Sequence, residues 1–350
     1  MTENTGDILN VFIGILVTVI AFALMIFVHE FGHFFTAKLF KIKVNEFALG
    51  MGPSLFKFRK GETEYSLRLF PIGGYCAMEG EDGENSDPRA FVNQKPWKRL
   101  IVLGAGAFMN ILLGLIIISI LVSQMSLLGT RHIAITQDAS SNSVFHDYDE
   151  ILKVNGKHIF SATDIDYILA LDTDGKADFL IRRDGEKLSL KDVELELIND
   201  KESGATGTAR NFTIYGVEKT FFGVIKYGVM KTISTVRLVI YSFASLITGK
   251  VPVSQLSGPV AVTDTVIKSV SYGWEPILEL IGMISVNLGV FNLLPIPALD
   301  GSRMLFVFIE MIFRRPVSRK WESWIHAIGF IVLMGLMALV FFKDIFTLFR

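Results

Sequence analysis

Four long stretches of the chain consist almost entirely of apolar residues. Residues 9–28 and 100–122 contain no charged side chain, and residues 277–294 and 325–342 contain one ionisable side chain each. A helix that crosses a membrane needs roughly 20 consecutive apolar residues. The pattern therefore predicts four membrane-spanning helices. The first is not interpreted as a cleaved signal peptide, because it lacks a basic start and its apolar run is too long.

Basic residues beside the apolar stretches predict the direction of each crossing. The first ten residues contain no Lys or Arg, whereas residues 38–43, 95–99 and 314–320 are rich in them. Short basic flanks are retained in the cytoplasm. We therefore expect a multi-pass membrane protein whose two termini, together with residues 124–220, lie on the extracytoplasmic side.

Apolar and polar residues alternate between the first two predicted helices. Residues 55–58 and 65–69 follow a period of two on either side of Gly61, which predicts a β-hairpin on the cytoplasmic side. The pattern alone leaves two interpretations open. The hairpin either joins two helices and does nothing else, or offers an edge strand that binds an unfolded substrate by strand addition.

The long segment after the second predicted helix has the pattern of a water-facing α+β domain. Turns at Asn155-Gly156 and Asp184-Gly185 each separate two predicted strands, and residues 161–170 predict a helix capped by Ser161 or Thr163. Residues 221–249 have apolar residues at helical spacing but also three basic ones. We expect them to form an amphipathic helix on the outer membrane surface.

Composition agrees with a protein that is partly in lipid and partly in water. Of the 350 residues, 51% are hydrophobic and 20% are charged, which suits neither a soluble domain nor a wholly buried membrane protein. The net charge of −1 offers no electrostatic footprint for nucleic acid. The single cysteine, Cys76, excludes an intrachain disulfide and a zinc site built on several cysteines.

The end of the first apolar stretch carries ionisable residues at a meaningful spacing. His29, Glu30 and His33 form the pattern H-E-x-x-H, which puts both imidazoles on one face of a helix. The alternative interpretation is that the two histidines lie near the membrane surface with their hydrogen bonds satisfied and have no role in metal binding. Ionisable groups inside a membrane are costly, and one zinc ion accounts for all three residues together. In that arrangement Glu30 acts as the general base on a water molecule.

Two histidines leave such a zinc ion short of a protein ligand. The third apolar helix is interrupted by Pro295 and Pro297 and is followed by Asp300-Gly301. Taken alone, this Asp-Gly pair is typical of a plain turn. A broken helix in a membrane is tolerated where it lines a cavity, so we predict Asp300 as the third ligand.

These motifs resemble those of the site-2 proteases, which are zinc-dependent intramembrane metalloproteases. The resembling motifs are "HEFGH" (29–33) and "NLLPIPALDG" (292–301), and the similarity is greatest to the bacterial regulator of sigma-E protease type (RseP/RasP-like). Residues 46–75 resemble the membrane-associated β-hairpin of that group, residues 149–188 resemble its PDZ domain, and "LSGPVAV" (256–262) matches its S-G-P segment.

The resemblance implies a fold, a site and a location. The fold is a polytopic α-helical membrane protein with about four transmembrane helices, a membrane-associated β-hairpin and one α+β PDZ domain, in the bacterial cytoplasmic (inner) membrane. His29, His33 and Asp300 bind one zinc ion per chain, and Glu30 activates the water. The residues that hold the substrate backbone or the oxyanion are then Asn287, Asn292, Pro295 and Pro297.

The resemblance also implies partners. The substrates are single-span membrane proteins, such as anti-sigma factors and remnant signal peptides. A site-1 protease cuts each substrate first, and the PDZ domain excludes substrates whose outer portion is intact. Membrane lipid surrounds the protein, and no nucleic acid is bound. The chain departs from the family pattern in four ways. It has room for one PDZ domain where some members have two. It also has the sequence "ASSNSVFHDYDE" at residues 139–150, Ala107 in place of a frequent proline, and Ser302-Arg303 in place of Gly-His.

The chain is accordingly divided into seven predicted segments. They are the first transmembrane helix with its zinc motif (1–40), the hairpin region (41–99), the second transmembrane helix (100–123), the PDZ-like domain (124–205), the amphipathic helix and linker (206–272), the third transmembrane helix with the Asp300 motif (273–313), and the fourth transmembrane helix with the C-terminal tail (314–350).

Two other classes of function are compatible with parts of this pattern. A non-catalytic scaffold that binds exported proteins through a PDZ domain needs no general base, so the presence of Glu30 disfavours it. A metal transporter usually has internal repeats or polar residues along several helices. Neither feature is evident in the sequence, which favours the protease.

Overall fold

The computed structural model describes residues 2–81, 83, 85–135, 144–172, 174–199, 206–249, 256–315 and 317–348. The helices are α1 (Thr2–Leu39), α2 (Pro96–Gln124), α3 (Ala162–Ala170), α4 (Phe221–Ile247), α5 (Pro259–Val270), α6 (Trp274–Leu293), α7 (Asp300–Phe313) and α8 (Arg319–Leu348), with a 3₁₀ turn at Phe91–Asn93. The strands are β1 (Val44–Lys60), β2 (Thr63–Met78), β3 (Leu127–Ala134), β4 (Glu150–Val154), β5 (Lys157–His158), β6 (Lys176–Arg183), β7 (Glu186–Glu194), β8 (Glu196–Asn199), β9 (Thr206–Ala209) and β10 (Thr213–Glu218). The chain divides into two compact units, residues 1–117 with 239–350, and residues 118–238.

The four predicted membrane helices are confirmed as helices, within α1, α2, α6 and α8. α1, α2 and α8 extend beyond their apolar stretches at both ends, because helical hydrogen bonding continues into the polar flanks. α6 begins before residue 277 but ends at Leu293, since Leu294 is extended and precedes Pro295. By length and composition, however, five helices of the described residues can cross a membrane. The fifth is α4, so the predicted count of four is not confirmed. The most apolar 18 residues of α4 have a mean hydropathy of 1.2, against 3.1 for those of α1, because basic residues interrupt the apolar face of α4.

Close approach of small residues packs the helices of the first unit. A Cβ atom at Gly32 of α1 would lie 2.5 Å from the Ala105 carbonyl oxygen of α2. A Cβ atom at Gly14 would lie 2.5 Å from the Ile267 side chain of α5. Such contacts are typical of membrane helices, where small residues let backbones approach. They bring α2 against the C-terminal half of α1 and α5 against its N-terminal half.

The predicted β-hairpin is confirmed, with an arrangement that its alternation did not indicate. Residues 54–60 of β1 pair with residues 63–68 of β2 around the Gly61 turn. Residues 44–49 of β1 pair on one side with residues 64–67 and on the other with residues 74–78. Residues 74–78, at the end of β2, are therefore the outermost segment on one side of this sheet.

The outer half of the hairpin exposes an apolar surface. Its exposed apolar side chains are Met51, Leu55, Phe56, Phe58, Leu67, Leu69 and Phe70. The inner half instead contributes Val44, Phe47, Cys76 and Met78 to a buried cluster with residues of α1, α2 and α7. Exposed apolar patches of this kind mark contact with a membrane or a partner, which agrees with the expected membrane association of the hairpin.

The second unit is an α+β domain, as the sequence predicts. Its sheet has the order β10-β3-β4-β6-β7, with β5 paired to β4, and a separate pair is formed by β8 and β9. Ser161 caps α3 through a capping box with Asp164, which decides between the two predicted caps. That this domain is a PDZ domain stays a prediction, and part of the unusual segment 139–150 lies outside the described residues.

Candidate metal centre

Three of the predicted site residues meet within the first unit. His29 and His33 lie on one face of α1, and Asp300 is the first residue of α7. The Nε2 atom of His29 lies 3.1 Å from Oδ2 of Asp300 and 3.2 Å from Nε2 of His33. The Nε2 atom of His33 lies 3.4 Å from the same Asp300 oxygen. One donor atom from each residue therefore points to a common centre.

The spacing of these donor atoms fits a small tetrahedral metal ion. Zinc lies about 2.0–2.2 Å from imidazole nitrogen or carboxylate oxygen, so two donors on a tetrahedron lie about 3.3 Å apart. The three separations of 3.1, 3.2 and 3.4 Å agree with that value. Two imidazoles and one carboxylate are also the donor set of catalytic zinc sites, which leave one position open for water.

The segment between α6 and α7 explains how Asp300 reaches the histidines. The segment contains Pro295 and Pro297, and Ala298 adopts the left-handed conformation with a φ of 75°. The backbone N–H of Ala298 donates to Nδ1 of His326 on α8 at 3.2 Å. A Cβ atom at Gly301 would lie 2.2 Å from the Leu294 carbonyl oxygen, so α7 begins directly against the end of α6.

The second nitrogen of each imidazole contacts α2. Nδ1 of His33 donates to the Val102 carbonyl oxygen at 2.8 Å, which leaves the Nε2 lone pair for a metal. Nδ1 of His29 lies 3.3 Å from the side-chain amide of Asn110, a fully buried residue. If Nε2 of His29 binds a metal, Nδ1 carries the proton, and Oδ1 of Asn110 is then the atom that accepts it. Contacts of this kind orient metal-binding histidines.

Substitution of Asn110 tests this orientation of His29. We expect Asn110→Leu, which removes the acceptor, to weaken zinc affinity by about 10- to 100-fold. We expect Asn110→Asp, which keeps an acceptor oxygen, to stay within about threefold of wild type, because a carboxylate commonly fills this role. Competition with a calibrated chelator measures both. Equal weakening by the two substitutions would contradict the assigned hydrogen bond.

An open cleft of about 490 Å³ surrounds the three donors. Glu30 lines it beside the histidines, and so do Tyr75 and Cys76 of β2. A Cβ atom at Gly74 would lie 3.1 Å from Cγ of Glu30, so the outer segment of β2 packs directly against the proposed base. One wall of the cleft therefore carries the three metal-binding side chains and the Glu30 carboxylate, and another wall is formed by β2.

Burial determines the protonation of the hairpin groups near the cleft. Burial, together with a hydrogen bond to Glu46, raises the pKa of Tyr75 to about 12. Burial also raises the pKa of the Cys76 thiol, and the negative charges of Glu30 and Glu81 add to this effect. Both side chains are therefore neutral near pH 7. Cys76 is accordingly a weak nucleophile in the folded protein.

The predicted substrate-binding residues lie elsewhere. Asn287 and Asn292 are half-buried on α6, and Pro295 and Pro297 lie in the segment that follows. None of the four lines the cleft around Glu30. Oδ1 of Asn287 is buried and makes no hydrogen bond with the described residues. The role of these four residues stays a prediction.

The sequence interpretation did not assign Asn110 to the centre, and it also missed Gly106 of α2. A Cβ atom there would lie 2.4 Å from Nε2 of His33 and 2.8 Å from Nε2 of His29. Only glycine leaves room for both donor atoms. The small residues of "GAGA" at 104–107 indicate a close helix contact, but not which helix is approached.

Comparison with known proteins identifies the family of this chain. The model of peptidase family M50 matches residues 17–336. A Clostridium perfringens protein is 37% identical over 334 residues, covering 95% of this chain and 98% of the relative, and a Fusobacterium nucleatum protein is 35% identical over 342 residues, covering 96% and 99%. Both are named as candidate zinc metalloproteases. The regulator of sigma-W protease RasP of Bacillus subtilis is 27% identical over 419 residues, covering 95% of this chain and 98% of its own. The chain therefore belongs to peptidase family M50, and it is a multi-pass membrane zinc metalloprotease.

Proposed function

We propose that this protein is an intramembrane endopeptidase that cuts single-span membrane proteins near their cytoplasmic ends. The observation that carries the proposal is the position of the cluster. His29, Glu30 and His33 lie within a helix, Ile8–Leu39, that is long and apolar enough to cross a membrane. Asp300 begins α7, shortly after the end of a second such helix, Trp274–Leu293. A hydrolytic site there acts on peptide bonds that ordinary proteases do not reach.

The residues of the cleft have distinct tasks in this reaction. His29, His33 and Asp300 would hold zinc, which when bound polarises a carbonyl oxygen and lowers the pKa of water. Glu30 lies beside them, accepts the proton of the attacking water and passes it to the leaving nitrogen. Val102 and Asn110 keep the imidazoles oriented through their outer nitrogens. The open cleft admits the water that hydrolysis consumes.

The connection of the helices supports four crossings instead of five. The histidines lie near the C-terminal end of α1, and Asp300 follows the C-terminal end of α6. α6 must therefore enter the membrane on the side where α2 leaves it, and an even number of crossings separates the two. Within the described residues between α2 and α6, only α4 is long enough to cross. α4 is accordingly proposed as a surface helix.

Polar contacts of α4 agree with this assignment. Nη1 of Arg237 lies 3.5 Å from Oδ2 of Asp164, and Nη2 donates to the His158 carbonyl oxygen at 2.9 Å. The hydroxyl groups of Ser234 and Ser161 lie 3.1 Å apart. Arg237 and Ser234 of α4 therefore contact residues of the α+β domain. With the basic flanks of the other helices, this supports an extracytoplasmic α+β domain and extracytoplasmic termini.

The hairpin supplies a surface for an unwound substrate. A membrane helix hides its peptide bonds in internal hydrogen bonds, so it must unwind before it is cut. The outer segment of β2, residues 74–78, runs beside Glu30 and has unpaired backbone groups on one side among the described strands. We infer that the substrate adds to this edge as a strand. Asn287, Asn292, Pro295 and Pro297 are proposed to contact the substrate farther from the metal.

The proposed substrates are anti-sigma factors and remnant signal peptides, as the family resemblance implies. Each of them crosses the membrane once. Each has only a short extracytoplasmic portion after another protease has removed most of that portion. The extracytoplasmic α+β domain is proposed to act as a PDZ-type size filter that admits only such shortened proteins. The site-1 protease that prepares the substrate is therefore a functional partner, without a direct contact being required.

Metal removal tests the proposed function on the full-length protein in detergent. The substrate is a truncated single-span protein, and cleavage and zinc content are measured on the same samples. We expect about one zinc per chain, loss of cleavage on treatment with a chelator, and recovery when about one equivalent of zinc is restored. An untruncated substrate with a folded outer domain serves as the control for the size filter.

The outcomes separate the proposed function from its alternatives. Cleavage that persists without zinc would contradict the metal site. If the zinc-loaded protein cuts no single-span substrate but binds extracytoplasmic proteins, the scaffold interpretation is favoured instead.

A further inference from the structure

An ion pair joins two walls of the cleft. Glu81 follows the last residue of β2 by three positions, and Arg303 follows Asp300 by three positions on α7. The Arg303 guanidinium donates to Oε1 of Glu81. The other carboxylate oxygen of Glu81 accepts from the backbone N–H of Met78 at 3.3 Å. One carboxylate thus connects the end of the hairpin to the helix that presents Asp300.

The pair lies where two cavities meet. Glu81, Arg303 and Leu103 line both the metal cleft and a second cavity of about 280 Å³. The second cavity is also lined by Arg99 of α2 and His326 of α8. Both charges are partly shielded from solvent, since the Arg303 side chain is 36% exposed and the Glu81 side chain 18%. Salt therefore screens their attraction less than that of a surface pair.

The position of the hairpin edge relative to the metal determines which peptide bond reacts. A strand rises about 3.3 Å per residue, so a shift of β2 by that distance moves a paired substrate by one residue. Catalysis tolerates far less, since a misplacement of about 1 Å can lower the rate about 100-fold. A contact that fixes residues 74–78 against Asp300 therefore has a direct effect on the choice of bond.

We propose that Glu81 and Arg303 are positioning residues. They hold the edge of β2 at a fixed position relative to the three metal-binding side chains and thereby select the scissile bond. The proposal rests on the proposed function, because the selected bond belongs to the strand that adds to β2. Neither residue is assigned to bind the metal or to transfer a proton.

The position of the edge can be measured without activity through Cys76, the sole cysteine of the chain. Its side chain is 7% exposed and lines the cleft on β2. We expect Glu81→Gln and Arg303→Gln both to raise the rate of maleimide labelling of Cys76 at least about fivefold, because the edge of β2 becomes more exposed. Loss of the Glu81 charge also lowers the pKa of Cys76, which by itself would raise labelling in Glu81→Gln. The increase in Arg303→Gln, which removes a positive charge, therefore reports the position of the edge. The exchanged pair, Glu81→Arg with Arg303→Glu, is expected to return the rate toward wild type.

Cleavage by the same variants tests the selection of the bond. For a truncated single-span substrate, we expect each single variant to keep its zinc, to lower kcat/KM about tenfold and to cut at bonds one or two residues from the wild-type position. Mass spectrometry of the products identifies the bonds. The exchanged pair is expected to restore the single wild-type product.

Glu79→Gln is the matched control. Glu79 precedes Glu81 by two residues and accepts from Lys43 at 2.7 Å, a pair that does not reach α7. We expect it to leave labelling and products unchanged.

Wild-type labelling and wild-type products in both single variants would overturn the proposal, as would equal changes in Glu79→Gln. If labelling changes as expected but the zinc-loaded wild type cuts no substrate, the positioning link is supported and the proteolytic function fails.

Discussion

Glu30→Gln is expected to abolish cleavage while leaving the zinc content unchanged. The amide has the shape of the carboxylate but cannot accept the proton of the attacking water. Glu30 lines the cleft but is not one of the three residues whose donor atoms converge. General base catalysis contributes about 10²–10⁴-fold, so the remaining activity should be at or below the detection limit of a gel assay.

The control for Glu30 is another glutamate of a membrane helix. Glu279 lies on α6 and does not line the cleft, so Glu279→Gln should cleave at the wild-type rate. Zinc content and thermal unfolding of both variants show whether the fold is kept. A Glu30→Gln protein that holds zinc and still cuts at more than about a tenth of the wild-type rate would contradict the assigned role.

Gly106→Ala is expected to remove zinc and activity together. The added methyl group would occupy the space of the donor atoms, at 2.4 Å from Nε2 of His33. Real Cβ atoms do not come this close, so the histidines must leave the metal position or α2 must move away from α1. Because the lost groups are metal donors, we expect zinc affinity and kcat/KM each to fall at least about 100-fold.

Gly104→Ala makes the same chemical change two positions from Gly106. Among the described residues, a Cβ atom at Gly104 would meet only the Met304 side chain, at 3.3 Å, and a flexible methionine can yield. We expect normal zinc content and activity. If Gly104→Ala loses zinc as severely as Gly106→Ala, general weakening of helix packing accounts for both, and the specific role of Gly106 is wrong.

The convergence of His29, His33 and Asp300 could be predicted because the sequence patterns that indicate it are local. The four-residue spacing of His29 and His33 puts their side chains on one helix face whatever the remainder of the fold. Asp300 could be predicted because Pro295 and Pro297 interrupt an apolar stretch just before it. The observed separations of 3.1–3.4 Å agree with both inferences.

Gly106 and Asn110 could not be assigned to the centre in the same way. Their importance depends on which face of α2 packs against α1, and this is determined by small-residue contacts distributed along both helices. A sequence indicates that such contacts exist but not their register. The positions of Asn287 and Asn292 could not be predicted for the same reason, since the side of α6 that they occupy is set by packing.

The hairpin shows a different reason for an incomplete prediction. Alternation at residues 55–69 correctly indicated two strands around Gly61. It could not indicate that β1 bends so that its first half pairs on both sides. Gly50 and Gly52 have φ angles of 88° and 85°, which only glycine adopts easily, and they lie where the pairing changes. The segment that flanks Glu30 results from this bend.

The metal donors also have a consequence for the lifetime of the protein in the cell. His29 and Asp300 are 271 positions apart, so a bound ion would join the N-terminal and C-terminal parts of the first unit as a cross-link does. A ligand that binds only the folded state stabilises it, by about 2.7 kcal/mol at a hundredfold excess over its Kd. Newly made chains that acquire no zinc would therefore unfold more often and be degraded sooner. The abundance of the protease would then follow the zinc supply of the cell.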